Sequence, residues 1–539
     1  MRSGGAEAGF GKRGPQGTRR RERGPTRFHT VRHSLCDLLG EEYVASVCTA
    51  RSILSGMRSA EVLQRAGEPV DFFPQALHAR LTALLPRVGQ RCCPPAGPSA
   101  VGATSDAFRS NTQTALAPRS CLGYLRIGED GRLFLSSKSA HYHAPLGHDF
   151  PGYALIERAR GLGIGNATHN NTRGHITRLV EEELVRHAAG LQGTAGAALS
   201  SLLASRDAAA LNRVLNLETG SLAVEAAVKM VLSRFYRIDA FSQEPRHAGR
   251  TPVLLVMGDD AGGLGANYHG TTMVTQAMRG MWPEMVRRLE SEGVLAVRSV
   301  RCNNVAELEA AFRDYDREPY KIAGFFHELL LMNYGGTRLS AAFAQRAYAL
   351  CARHGVPTIV DEIQSGIWSP ELFMFREYGL KPSAVIVGKG FPGGEYAASR
   401  ILFSADMDSL PQFGALVTNG QQELASLAYL VTMRWATANA AVTRAAGDYY
   451  EERLKDLAER YSHLITKIEG RRHSAGVYFD GLDAAKAFVA QLRRMGLDIS
   501  VQTYKEGCPP SALTKLPLIC GYEAMDEVVA RMEAALNAI

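Results

Sequence analysis

The chain lacks long hydrophobic runs. None of its 539 residues belongs to an uninterrupted apolar stretch of the roughly 18 residues that a membrane-spanning helix needs. The most apolar stretch of small residues, 195–204, is too short and contains serines. We therefore expect no membrane partner. The rest of the composition, 46% hydrophobic and 21% charged, is that of an ordinary globular protein long enough for two or three domains.

Cysteine is scarce and irregularly spaced. The nine cysteines are an odd number, and none of them forms a Cys-x-x-Cys pair. This pattern argues against both a disulfide framework and a structural zinc site. The sequence therefore predicts no metal site, and it favours a reducing compartment, the cytoplasm.

Acidic residues are scarce at the N-terminus. Residues 1–30 carry eight lysines and arginines against two glutamates, which accounts for nearly all of the formal net charge of +7. The segment is also rich in glycine, so we expect a disordered basic tail. Binding of nucleic acid by such a tail is the alternative from another functional class, a non-catalytic protein.

Strand-like and helix-like patterns alternate along most of the chain. Such alternation predicts a mostly parallel sheet covered by helices. The expected strands are 253–257, 322–326, 357–360, 384–387 and 400–403, and the expected helices are 221–236, 339–354 and 421–436. After them we expect a helix at 454–469, strands at 477–479 and 497–501, and helices at 483–495 and 522–536, which together indicate a smaller α+β domain.

These patterns divide the chain into five predicted segments. The second of them carries short helical patterns, such as 76–88, and has an unknown role, while the large fourth segment carries the strand and helix alternation. The segments are a tail at 1–30, an N-terminal extension at 31–120, a segment of the small domain and active-site mouth at 121–205, a large domain at 206–430 and a C-terminal small domain at 431–539.

Asp361 and Lys389 are the most informative pair in the chain. Each ends a short apolar run that is typical of a buried parallel strand, and twenty-seven residues separate them. Open α/β sheets bind their ligands at the carboxyl ends of such strands. A lysine there can form a Schiff base with pyridoxal phosphate, while an acid can keep the pyridine nitrogen protonated.

The residues around this pair resemble a known family. The run DEIQSG at 361–366, followed by GKG at 388–390, resembles the class III (ornithine/GABA-type) aminotransferases, and the resemblance covers roughly residues 165–539. It implies the α/β fold of pyridoxal-phosphate enzymes of fold type I. In that fold a mostly parallel central sheet forms a large domain, and a smaller α+β C-terminal domain follows.

The resemblance also implies a set of site residues. Lys389 and Asp361 would be catalytic, Gly220 and Ser221 would hold the cofactor phosphate, and Tyr268 and Ile363 would cover opposite faces of the ring. Gln364 would hydrogen-bond the ring oxygen. The other implied cofactor-binding residues are His269, Glu328 and Thr418, the last reaching over from a partner subunit in a homodimer with shared sites.

Three departures from the family pattern fall on substrate-facing positions. Thr271 stands where some members have a carboxylate-binding arginine, and Asn333 stands where dual-substrate members have a second glutamate. The stretch after Gly366 is one residue shorter. The identities of the amine donor and acceptor therefore stay open.

The predicted activity is transfer of an amino group from a primary amine or amino acid to an oxo acid through a Schiff base on Lys389. An aminomutase, a racemase or a decarboxylase could use the same cofactor residues, because the outcome depends on which bond lies perpendicular to the ring. The sequence does not separate these reactions.

Overall fold

The computed structural model describes residues 26–97, 100–166, 171–193, 196–258, 268–502 and 509–539. Most of the predicted tail therefore lies outside the described residues. Its last five residues contact the protein body. The backbone N–H and hydroxyl of Thr26 both donate to the Glu523 carboxylate, each at 3.1 Å, and the rings of Phe28 and Trp435 lie 5.5 Å apart.

A seven-stranded sheet forms the centre of the molecule. Its strands are β1 (Arg213–Leu217), β2 (Thr251–Gly258), β3 (Ala296–Arg301), β4 (Tyr320–His327), β5 (Thr358–Asp361), β6 (Ala384–Val387) and β7 (Ser399–Phe403). They are arranged in the order β1-β7-β6-β5-β4-β2-β3. Only β7 runs antiparallel to its neighbours. The predicted mostly parallel sheet is confirmed.

The pairing register brings the ends of three strands together. Asp361 at the end of β5 pairs with Ile386 of β6, and Val360 pairs with His327, the last residue of β4. Glu328, Asp361 and Lys389 therefore leave the sheet at the same edge. The strands are buried along their length, which explains why their sequences read as uninterrupted apolar runs.

Helices cover the sheet on both faces. The helices Gly220–Leu232 and Ala341–His354 bury their apolar faces in two separate core clusters, one on each face. Further helices in this part of the chain are His175–Ala188, Gly196–Ala204, Met273–Ala277, Pro283–Ser291, Val305–Tyr315, Met374–Glu377 and Glu423–Ala438. The helix Glu423–Ala438 continues through residue 430, where we placed a domain boundary.

The last part of the chain is an α+β unit. Strands Ile465–Arg471, Ser474–Phe479, Ser511–Lys515 and Ser500–Val501 form an antiparallel sheet, packed by helices Ala440–Arg460, Leu482–Arg494 and Tyr522–Leu536. The predicted helix at 454–469 is wrong beyond residue 460. There the chain turns and forms an antiparallel hairpin with the strand Ser474–Phe479, and this strand pairing overrides the helical pattern.

The N-terminal extension is folded onto the rest of the chain. Its helices are Leu35–Leu39, Glu41–Ser55, Ser59–Gly67, Gln75–Leu84 and Asp106–Asn111, and its strands Arg32–His33 and Val70–Asp71 pair with each other. Leu35 and Leu81 are fully buried in the same core cluster as Trp435. A three-stranded sheet of Pro118–Leu122, Leu125–Gly128 and Leu133–Leu135 follows.

The described residues contain neither a membrane-spanning helix nor a metal-binding cluster. No helix in these ranges combines the length and apolar character that a membrane crossing requires. Within the same ranges, no group of three or more histidine, cysteine, aspartate or glutamate side chains is placed to hold a metal ion.

Replacement of Glu423 with Ala should destabilise the protein by about 2–3 kcal/mol. The buried Glu423 carboxylate caps the helix His175–Ala188, because it accepts hydrogen bonds from the backbone N–H groups of Ile176 and Thr177 and from the Thr177 hydroxyl at 2.8, 3.2 and 2.6 Å. Urea unfolding measures the loss. The control is E182A, which removes an exposed glutamate from the same helix. Equal stability of the two variants would contradict the capping role.

Candidate active site

Asp361 is a buried carboxylate held by two hydrogen bonds. The Tyr268 hydroxyl donates to Oδ2 at 2.7 Å, and the backbone N–H of Ile363 donates to Oδ1 at 3.0 Å. Burial nevertheless raises the pKa of Asp361, because removal from water penalises the charged form. A positively charged group bound beside the carboxylate would lower the pKa of Asp361 again.

Glu328 is a second buried acid that faces Asp361. Burial and the neighbouring Asp361 charge raise the pKa of Glu328 well above its usual range, while Lys389 and Lys515 act in the opposite direction. The site thus contains two acids and two lysines that influence one another's ionisation: Asp361, Glu328, Lys389 and Lys515. Such clusters of perturbed groups are characteristic of functional sites.

Lys389 occupies a tightly packed, strained position. Its backbone lies in the left-handed region, at φ 39°, which only a well-packed site sustains for a residue with a side chain. The glycines on either side are required: a Cβ on Gly388 would lie 2.3 Å from Ser399 Oγ, and one on Gly390 would lie 2.6 Å from the Trp368 ring. Burial lowers the pKa of the Lys389 amine, although Glu328 and Asp361 oppose this effect.

The helix Gly220–Leu232 presents its N-terminus near the same edge. Thr219 is the N-cap and accepts a hydrogen bond from the Leu222 N–H at 3.3 Å, so Gly220 and Ser221 form the first helical turn. The Thr271 N–H donates to Ser221 Oγ at 3.1 Å. This turn packs closely against Ile363 in the loop after Asp361, because a Cβ on Gly220 would lie only 2.2 Å from Ile363 Cδ1. A helix N-terminus of this kind suits an anionic group.

Gln364 and His269 have buried polar atoms that need a partner. Gln364 Oε1 and His269 Nδ1 make no hydrogen bond within the described part of the chain. Burial lowers the pKa of His269 to about 4, so its imidazole is neutral at physiological pH. Because buried polar atoms are rarely left unpaired, these two atoms fit a site that is completed by a ligand.

Thr418 does not join this group within its own chain. It is exposed in the loop before the helix Glu423–Ala438, and over the described ranges no hydrogen bond joins it to the other predicted residues. The glycine-rich residues before Tyr268, 259–267, lie outside the described residues. The predicted roles of all ten site residues remain predictions; the structure brings Glu328, Asp361, Ile363, Tyr268 and Lys389 together.

Four residues at the site were not predicted from the sequence. They are Lys138, Tyr142, Trp368 and Lys515. None of the four left a signal in the sequence, since they approach Lys389 only through long-range packing. Lys515, for example, ends the buried strand Ser511–Lys515, whose sequence mixes polar and apolar residues.

Comparison with known proteins identifies the family. The family model described as Aminotransferase class-III matches residues 176–536. An ornithine aminotransferase of an Exiguobacterium species is 26% identical over 332 residues, covering 59% of this chain and 74% of the relative. A leucine/methionine racemase of Thermococcus litoralis is 26% identical over 228 residues, covering 39% of this chain and 51% of the relative.

Solved structures agree with the fold. The ornithine aminotransferase of Plasmodium yoelii superposes with a TM-score of 0.60 at 16% identity, covering 79% of this chain and 95% of that protein. The N-acetylornithine aminotransferase of Stenotrophomonas maltophilia has a TM-score of 0.57 at 18% identity, covering 80% of this chain and 98% of that protein. The segment that the family model matches, residues 176–536, begins within the helix His175–Ala188 and includes every strand of the central sheet. The chain belongs to the class III aminotransferase family, and the expected fold is confirmed.

Proposed function

We propose that this protein is a pyridoxal-phosphate-dependent transaminase that moves an amino group from a primary amine or amino acid to an oxo acid. The observation that carries the proposal is the placement of Lys389 and Asp361 at the ends of adjacent parallel strands. An amine with a lowered pKa lies there near a buried acid that forms no salt bridge within the described residues. Membership of a family of transaminases supports the same conclusion.

The residues present fit the cofactor. Asp361 would hold the protonated ring nitrogen, which is the cation that its buried carboxylate lacks. The helix N-terminus at Gly220 and Ser221 would hold the phosphate, the Gln364 amide would meet the ring oxygen, and Lys389 would attach the aldehyde carbon. When bound, the cofactor withdraws electrons and stabilises negative charge on the carbon next to the amine.

The chain's own groups then have defined tasks. Tyr268 keeps the Asp361 carboxylate oriented through its hydroxyl. Lys389, whose pKa is lowered by burial, would accept a proton from the substrate carbon and return it to another atom. Tyr142 is buried beside this amine and would exclude water, while Trp368 is buried against the neighbouring Gly390.

We also propose a homodimer and a cytoplasmic location. Thr418 is exposed in its own chain, so its side chain can contact the site of a second copy. The location is supported by the absence of disulfides among the cysteines of the described residues. Small-molecule amines and oxo acids would be the substrates.

Racemisation is the second candidate, because one relative is named as a racemase. An amine donor added without an oxo acid separates the two reactions. A transaminase converts bound pyridoxal phosphate to pyridoxamine phosphate and stops after about one equivalent. A racemase continues to turn over without accumulating it.

Replacement of Lys389 with Ala should abolish steady-state transamination. The variant loses both the covalent attachment and the proton carrier, so we expect a fall in kcat of about 10³-fold or more. The measurement is product formation from a panel of amines with 2-oxoglutarate, alongside absorbance near about 410–430 nm, where a protonated Schiff base absorbs. The control is Lys381→Ala, which changes an exposed lysine. A Lys389→Ala protein with the activity of the control would refute the assignment.

The Lys389 amine should react at lower pH than an exposed lysine. Because burial favours the uncharged amine, the neutral nucleophilic form is present below the usual lysine pKa and persists as pH rises. Acetylation of the cofactor-free protein at a series of pH values, followed by mass spectrometry, gives the two profiles. Lys381 in the same sample is the internal reference. Coincident profiles would contradict the lowered pKa.

A further inference from the structure

Three lysine amines lie around the ring of Tyr142. The Nζ atoms of Lys138, Lys389 and Lys515 are 5.5, 5.3 and 5.0 Å from the ring centroid. The Nζ of Lys515 also lies 3.9 Å from the ring centroid of Trp368. The reaction proposed above uses only Lys389, so the other two amines have no assigned task.

Lys515 is a fully buried amine without a hydrogen-bond acceptor. Its Nζ has no partner within the described ranges of the chain, although the whole side chain is removed from water. Burial, with a smaller contribution from Lys389, lowers the pKa of the Lys515 amine well below its usual range. Glu328 and Glu362 act in the opposite direction, but neither forms an ion pair with it in those ranges. Buried ammonium groups are normally paired, so Lys515 is suited to an anion that arrives from outside.

Lys138 supplies a second cation beside the Tyr142 ring. Its Nζ donates to Ser500 Oγ at 2.6 Å. Burial, with a smaller contribution from Lys389, lowers its pKa to about 8, and Asp498 acts in the opposite direction. An amine has three donors, so two of them remain for a ligand once Ser500 is bound.

A strained turn holds this corner in place. Ser139, Ala140, His141 and Tyr142 all have positive φ, from 47° to 72°, although none of them is glycine. The Ser139 hydroxyl donates to the Lys515 carbonyl at 2.6 Å, and the Lys515 N–H donates to the Ser137 carbonyl at 2.7 Å. Strain of this kind persists only where surrounding contacts fix it, and it clusters at ligand sites.

We propose that Lys138 and Lys515 form an anion subsite that binds the carboxylate of the amine substrate and of the oxo acid. The substrate class would then be amines that carry a carboxylate, with the amine directed to Lys389 and the carboxylate to this subsite. This inference rests on the proposed function. It also gives a carboxylate binder to a chain in which Thr271 replaces the arginine that the family resemblance implies.

Glutarate is the probe, because it offers two carboxylates and has no amine to react. Its affinity for the cofactor-loaded enzyme is measured by calorimetry for wild type, K138M, K515M and the double variant. We expect binding to weaken by about tenfold or more in K515M and further in the double variant, as for the loss of a charge-assisted hydrogen bond. K486M, which changes an exposed lysine of the same C-terminal unit, should bind like wild type.

Methionine fills the space of the lysine stem, and circular dichroism confirms that each variant is folded. Wild-type affinity for glutarate in folded K515M and K138M would overturn the subsite. Failure of the wild-type enzyme to bind glutarate would also overturn the subsite.

A matched pair of amines separates the subsite from the proposed function. The half-reaction is followed with 5-aminopentanoate and with pentylamine, which lacks the carboxylate. We expect wild type to prefer 5-aminopentanoate by about tenfold or more, and K515M to lose most of that preference while still reacting with pentylamine. An unchanged preference in K515M would overturn the subsite. If neither amine reacts with wild type, the proposed function fails, and the glutarate affinities still decide the subsite.

Discussion

The placement of Asp361 and Lys389 at one edge of the central sheet is the constraint on which the site depends. Both residues follow short, fully buried strands, and the register of β5 against β6 brings them to one edge of the sheet. Glu328 reaches the same edge from β4. An acid and an amine are costly to bury, and their pKa values move toward the neutral forms. The fold therefore keeps an amine with a lowered pKa near an acid that forms no salt bridge in the described part of the chain.

Neighbouring elements hold this arrangement in place. The Tyr268 hydroxyl and the Ile363 N–H hold the Asp361 carboxylate. The left-handed backbone at Lys389 lies between two glycines: Gly388 packs against Ser399, and Gly390 packs against Trp368. The C-terminal unit contributes as well, because Trp368 Nε1 donates to the Leu516 carbonyl at 3.0 Å. The candidate active site thus lies where the central sheet, the segment around Tyr142 and the smaller sheet meet.

The central sheet could be predicted because its strands are continuous apolar runs, and Asp361 and Lys389 could be predicted because they end two of them. β1 and β3 were not predicted, since their alternating, partly exposed residues do not form such runs. The helix expected at 454–469 failed because strand pairing decides the conformation after residue 460. Tyr142 and Lys515 could not be found, since their approach to Lys389 depends on packing between distant parts of the chain. No sequence pattern encodes that packing.

The most direct test of this account is borohydride reduction of the purified protein after incubation with pyridoxal phosphate. Reduction converts a Schiff base between the aldehyde and a lysine into a stable secondary amine, which peptide mass spectrometry locates. The account predicts a single stoichiometric label on Lys389, and in an Asp361→Asn variant a weaker label on the same residue. Absence of label from Lys389, or a label spread over exposed lysines, would contradict it.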